Sequence, residues 1–166
     1  PTSGELTAIG VRVMSNTALR GYVGHTKARL LYVEAVDEPE PAKSGKPRPP
    51  SRFRVTLYDD KRHRTIFADG SVRDPRKLSL TESALPPPPS DAEFAAAVKI
   101  VHQDSELGRA LSAGHLETYQ PIPALSLTEL PDGRIERCIT VGLLPRGHGA
   151  VHEIVAVDLA GRAVTR

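Results

Sequence analysis

Six histidines are the first residues to weigh for chemistry: His25, His63, His102, His115, His148 and His152. His148 and His152 stand four apart, the spacing that sets two imidazoles on one helix face in zinc sites. Here Gly149-Ala150-Val151 follows a Pro-Arg-Gly turn, so the segment reads as loop and strand. On a strand, four residues separate same-face side chains by about 13 Å, too far for one ion. His102 falls at a helix end, where it suits the dipole. His63 lies in Arg-His-Arg, on an expected surface strand. Asp59-Asp60 precedes Lys61-Arg62 and is explained by turn chemistry. No Gly-x-Ser-x-Gly elbow, dinucleotide glycine loop or Walker sequence occurs. Cys138 is the single cysteine, which excludes an internal disulfide and a cysteine cluster. Within RCITV it reads as a buried, inert thiol. The remaining chemistry is electrostatic. Lys43, Lys46, Arg48, Arg52 and Arg54 form a basic segment, either a solvated loop or a contact for an anionic partner.

The elements that position these residues are written twice. Ser90–Leu111 opens with Ser90 three residues before Glu93, a capping-box spacing, and Phe94, Ala97, Val98 and Val101 follow as one apolar stripe. Moved back 88 positions without a gap, Thr2 falls on Ser90, Glu5 on Glu93, Leu6 on Phe94, Ile9 on Ala97, Val13 on Val101 and Leu19 on Leu107. The spacing predicts a duplicated unit of about 80 residues. Residues 1–85 form the first unit and 90–166 the second, with a proline-rich connector over 74–89.

In the first unit a helix is expected over Ser3–Thr17, with Gly10 inside it a cost of about 1 kcal/mol. Gly21 and Gly24 mark a turn. Lys27–Val36 and Arg52–Tyr58 read as strands. In the latter Phe53, Val55 and Leu57 face one way and Arg52, Arg54, Thr56 and Tyr58 the other. Glu38–Pro50 reads as a long mobile hairpin loop. His63–Ala68 is a strand closed by an Asp69-Gly70 turn. In the second unit Pro121 and Pro123 demote part of His115–Leu130 to an edge strand. Pro131-Asp132-Gly133 is a turn, and Arg134–Leu144, Ala150–Leu159 and Ala163–Thr165 are strands. Each unit is expected as α+β, one helix on a three- or four-stranded antiparallel sheet.

Charge is uneven. Residues 1–85 carry 15 Lys and Arg against 10 Asp and Glu, and residues 86–166 carry 7 against 10. The surplus is too mild, and Trp-free aromatics too sparse, for a nucleic-acid platform. No apolar run approaches the length of a membrane span. No leader is visible at Pro1, and localisation stays open.

The order SGEL, RLLYVEAVD, RFRVTLYDD, a proline-rich link, EFAAAVKIVHQDSELGRAL, RIERCITVGLLP and HEIVAVDLAGRAVTR resembles the second and third amino-terminal domains of copper amine oxidases. The resemblance covers residues 3–166. It implies two tandem cystatin-like units of the kind that precede a catalytic β-sandwich and add to its surroundings. In that family copper is held by a His-x-His pair and a later His. Topaquinone forms from a tyrosine within Asn-Tyr-acid-Tyr, and an Asp is the base. None of these carries over, because no tyrosine here follows Asn and no two histidines are two apart. The resemblance therefore implies a chain without cofactor or catalytic residue, acting by binding. Copper and topaquinone belong only to the alternative reading, the amino-terminal fragment of a full primary-amine oxidase. A cystatin-like inhibitor is weaker, since Gln120-Pro121-Ile122-Pro123-Ala124 replaces the Gln-x-Val-x-Gly wedge. Partner classes left open are a protein, an amine-oxidase catalytic chain among them, and a second copy of the chain. The expected docking surface is the basic strand and loop of the first unit: Arg52, Arg54 and Tyr58 with Lys43, Lys46 and Arg48.

Overall fold

A computed structural model describes residues 2–26, 28–36, 50–147 and 151–166. The chain divides into two compact units, Pro1–Pro86 and Pro87–Arg166. Both are α+β.

The first unit opens with α1 (Ser3–Met14). Thr2 caps it, accepting from the Glu5 N–H at 3.3 Å while Glu5 accepts from the Thr2 N–H at 2.6 Å. Four strands follow as an antiparallel meander in chain order: β1 (Ala28–Val36), β2 (Arg52–Asp59), β3 (Arg64–Ser71) and β4 (Asp74–Ser83). Ile9 and Val13 of α1 join Phe53, Val55, Leu57, Ile66 and Ala68 in one core. Gly10 is not a wasted position. A Cβ there would stand 3.0 Å from Val33 Cγ2 and 3.3 Å from Leu30 Cδ2, so its absence lets the helix lie close on β1.

The second unit repeats this order with one break. α3 (Asp91–Gln103) starts on the second capping box, Ser90 with Glu93. Its sheet runs β5 (Leu116–Tyr119), β7 (Ile135–Pro145), β8 (Glu153–Asp158) and β9 (Ala163–Thr165), and β6 (Leu125–Glu129) also pairs with β7. β5 and β6 are one strand interrupted. Both run antiparallel to β7, and Gln120–Ala124, with two prolines and a cis Ile122–Pro123 bond, separates them. Prolines cannot donate to the ladder, so pairing stops there and resumes. Burial follows the 88-residue register. Ile9 and Ala97, Val13 and Val101, Leu19 and Leu107 are all buried, and Leu6 and Phe94 are both partly covered.

Four expectations need correction. Each unit has a second short helix, α2 (Thr17–Val23) and α4 (Leu107–Ser112), so the helical layer is not one helix and Gly21 is helical. Asn16 and Asp104 each restart the chain by accepting from two backbone N–H groups. The second sheet has five strands rather than three or four. Asp74–Ser83 is a full strand rather than connector, because Pro75 sits at its very start, where no ladder donor is lost. Asp69 and Gly70 are inside β3. The glycine answers a close approach, since a Cβ at Gly70 would lie 2.5 Å from Phe53 Cζ. Glu38–Pro49 of the expected hairpin loop lies outside the described residues.

Candidate functional site

The basic strand does not present the surface its alternation suggests. Tyr58 is 2% exposed and Thr56 4%, so the face opposite Phe53, Val55 and Leu57 is buried toward the end of β2. The chain leaving β4 crosses this end, where the Thr65 hydroxyl donates to the Leu85 carbonyl at 2.7 Å. Tyr58 is therefore a core residue, not a docking residue. Arg54 is spoken for. β2 and β3 pair Arg54 directly with Asp69, and the guanidinium donates twice to that carboxylate, at 2.7 and 3.0 Å. It also lies 4.8 Å over the Phe67 ring. The hydrogen bond from Asp69 holds the guanidinium more firmly protonated than usual. Arg52 is exposed at the strand's start. Lys43, Lys46 and Arg48 lie outside the described residues.

Past the end of β2 lies a second charged group. Asp59, fully buried, accepts from the Lys61 and Arg62 N–H groups at 3.0 and 3.1 Å and from Arg62 Nε at 2.7 Å. Arg62 Nη1 reaches Glu82 at 2.9 Å, and its guanidinium faces the Tyr22 ring at 6.0 Å. Burial pushes the Asp59 carboxyl up, but hydrogen bonds from Arg62, Thr26 and the Arg62 amide outweigh it and hold the group below the usual carboxylate range. Burial and the bond to Glu82 raise the Tyr22 hydroxyl. This cluster locks a turn. His63, at φ 50°, completes that turn rather than lying on a strand.

Sequence reasoning missed an open cleft of about 780 Å³ between the α1–α2 corner and the β3–β4 turn. One wall is Arg12, Ser15, Asn16, Thr17 and Ala18; the other is Arg73, Asp74, Pro75 and Arg76. The Asn16 side-chain amide donates to the Arg76 carbonyl at 2.9 Å and ties the walls together. Arg12 and Arg73 are exposed and have no carboxylate partner among the described residues. Arg76 Nε is 3.5 Å from Asp74 Oδ1, and that oxygen is buried without a hydrogen-bond partner. The cations are visible in the sequence; their meeting across two distant segments is not.

The second unit uses its charges internally. Arg137 Nη1 and Nη2 each donate to Glu93 at 2.8 Å, with Nε to the Pro87 carbonyl at 2.9 Å and Nη2 to that of Pro88 at 3.0 Å. The Tyr119 hydroxyl is hydrogen-bonded to His152 Nε2, and the two rings stack. Tyr119 lies over Gly142, whose missing side chain makes the room. Cys138 is half-buried rather than buried, and desolvation, then Glu136 and Asp158, raise its thiol above the ordinary value. A thiol so raised is protonated at neutral pH and a poor nucleophile. His102 and His115 are exposed, and His148 lies outside the described residues. Among the described residues no three His, Cys, Asp or Glu side chains gather where they could hold a metal ion. No helix there is long and apolar enough to cross a membrane.

The sequence matches no protein-family model and no curated protein.

Proposed function

We propose that this chain is a non-catalytic binding and assembly module, two tandem cystatin-like units akin to the amino-terminal domains of copper amine oxidases. One observation supports this reading above others. In the first unit Arg29, Arg54 and Arg62 are neutralised by Asp60, Asp69 and Asp59, while Arg12, Arg52 and Arg73 stand exposed without carboxylate partners among the described residues. Unpaired surface cations on a rigid scaffold steer acidic partners and set association rates more than they stabilise the fold. Copper and topaquinone have no place in this chain on this reading. Tyr22, Tyr32, Tyr58 and Tyr119 follow Gly21, Leu31, Leu57 and Thr118, so the quinone precursor sequence is missing. The test has two arms. The immobilised full chain should retain acidic proteins, the separately expressed catalytic domain of an amine oxidase among the candidates, and release them as salt rises. The purified chain, supplied with copper and a primary amine, should release no peroxide and take no quinone stain. Peroxide release or quinone staining overturns the reading, as does a chain that retains nothing at low salt.

A further inference from the structure

We propose that the cleft between the α1–α2 corner and the β3–β4 turn holds an acidic peptide segment of a partner protein. Arg12 and Arg73 take its carboxylates, and Asp74 accepts one of its backbone N–H groups. The proposal rests on the binding-module reading and names its site and partner chemistry.

Charge comes first. Arg12 on one wall and Arg73 and Arg76 on the other face a single open cleft, with Asp74 the opposing charge in the lining. Arg12 and Arg73 have no carboxylate of this chain to pair with among the described residues. A guanidinium is a planar fork that fits a carboxylate with two parallel hydrogen bonds. The fold does not require a cation on the helix wall. In the 88-residue register Arg12 corresponds to Ile100 of α3, and Ile100 is buried in the second unit's core. The same helix position can thus be apolar and packed.

Asp74 decides between a peptide and a bare anion. Its side chain is 38% exposed although Oδ1 is buried, and Arg76 Nε at 3.5 Å and Lys77 Nζ at 3.9 Å both stand too far for normal hydrogen bonds, so Oδ2 is the oxygen that can meet a ligand. An ionised carboxylate only accepts hydrogen bonds, so its exposed oxygen favours a ligand that brings a donor. A ligand made only of oxyanions would place more acceptors beside it. A peptide brings both groups the cleft needs, carboxylates for the free guanidiniums and amide N–H donors for Asp74. The backbone of the two walls is tied by the bond from Asn16 to Arg76 and by the Asn16 cap on α2, so the ordering left for binding is that of the arginine side chains.

The experiment measures fluorescence anisotropy of a labelled peptide of alternating Glu and Gly against the full chain at low salt. A Gln-for-Glu version of the peptide and inorganic phosphate are the comparison ligands. The parent should bind the Glu peptide and bind the Gln peptide at least about tenfold more weakly. Arg12→Ser with Arg73→Ser should weaken the Glu peptide about tenfold or more. Arg109→Ser with Lys99→Ser removes the same charge from exposed positions outside the cleft and should change affinity by less than about twofold. Phosphate in the low millimolar range should not displace the peptide. Equal weakening by the two double variants overturns the proposal in favour of general charge attraction. Displacement by phosphate overturns it in favour of an anion site, and absence of Glu-peptide binding overturns it outright. If the cleft double variant melts early, the Arg12→Ser and Arg73→Ser single variants carry the same comparison. Failure of the cleft while the parent still retains acidic proteins refutes the site alone; loss of that retention refutes the module reading.

Discussion

The two capping boxes are the same motif put to different uses. In α1 the reciprocal bonds of Thr2 and Glu5 lie in solvent, and the backbone amide of Thr2 draws the Glu5 carboxyl below its usual range. In α3 the corresponding Glu93 is 5% exposed and does three jobs at once. It accepts from the Ser90 N–H at 3.0 Å and from two nitrogens of Arg137, whose other donors hold the carbonyls of Pro87 and Pro88. One carboxylate thereby joins the helix start, the entering proline segment and β7. An exposed capping box is a local device. A buried one with an arginine behind it is tertiary structure, and the cost of breaking it differs accordingly.

The largest effect follows from that difference. Removing one partner of a buried, hydrogen-bonded ion pair leaves an uncompensated charge and costs about 3–5 kcal/mol. Glu93→Gln and Arg137→Met should each destabilise the second unit by that order in urea titrations. Thr2→Ala should cost the chain about 1 kcal/mol, the worth of an ordinary cap. If Arg137→Met and Thr2→Ala shift the unfolding midpoint equally, the buried pair is not the joint described here.

A smaller contrast lies in the second helices. α4 follows α3 so closely that a Cβ on Gly108 would stand 2.2 Å from the His102 carbonyl oxygen. In α2 the same register position is Arg20, and the next residue, Gly21, opens onto free space, with nothing within 4 Å of where a Cβ would stand. Gly108→Ala should therefore destabilise by about 1–3 kcal/mol as an overpacking change. Gly21→Ala should stabilise by about 0.5–1 kcal/mol through helix propensity. Thermal melts of the two variants should move in opposite directions. A shared sign would mean that the α3–α4 corner is looser than its geometry.

What the sequence disclosed, and what it hid, follows the range of the forces involved. The cap of α1 and the cap of α3 are three-residue events, and both helix starts were legible. Core positions such as Val13 and Val101 followed from period and register. Asp69-Gly70 misled because a glycine beside an aspartate is the ordinary sign of a turn. Here Gly70 makes room for Phe53, a cross-strand neighbour 17 positions away in sequence. Placing Asp69 in a turn concealed its pairing with Arg54, and so left Arg54 looking like a free cation. Tyr58 misled for a related reason. Alternation tells which face a side chain takes, and a crossing segment, here at Leu85, decides whether that face is wet. The cleft of Arg12 and Arg73 joins residues about 60 positions apart, so no local pattern could mark it.

The last contrast separates the units by pH. β2 ends in Asp59, paired across to Ala28, and β7 ends at the equivalent place in Pro145, paired across to Leu116. The second unit thus has no titrating group where the first has a buried carboxylate. Asp59 is held below its ordinary value because Arg62, Thr26 and the Arg62 amide outweigh the upward push of burial. A group depressed in the folded state contributes stability above its unfolded value, near pH 4, and that contribution fades as pH falls through the folded value. Asp59→Asn keeps an acceptor for the turn amides but loses the charge toward Arg62. It should cost about 1.5 kcal/mol at neutral pH, the low end for a hydrogen bond to a charged group, because the Arg62 side chain is half-exposed. The gap should narrow as pH falls through the lowered folded value, because the parent's carboxyl is then protonated as well. Urea titrations of both proteins from pH 7 down to pH 2.5 measure the gap. A gap that stays constant with pH would show that Asp59 acts through its shape and not through its charge.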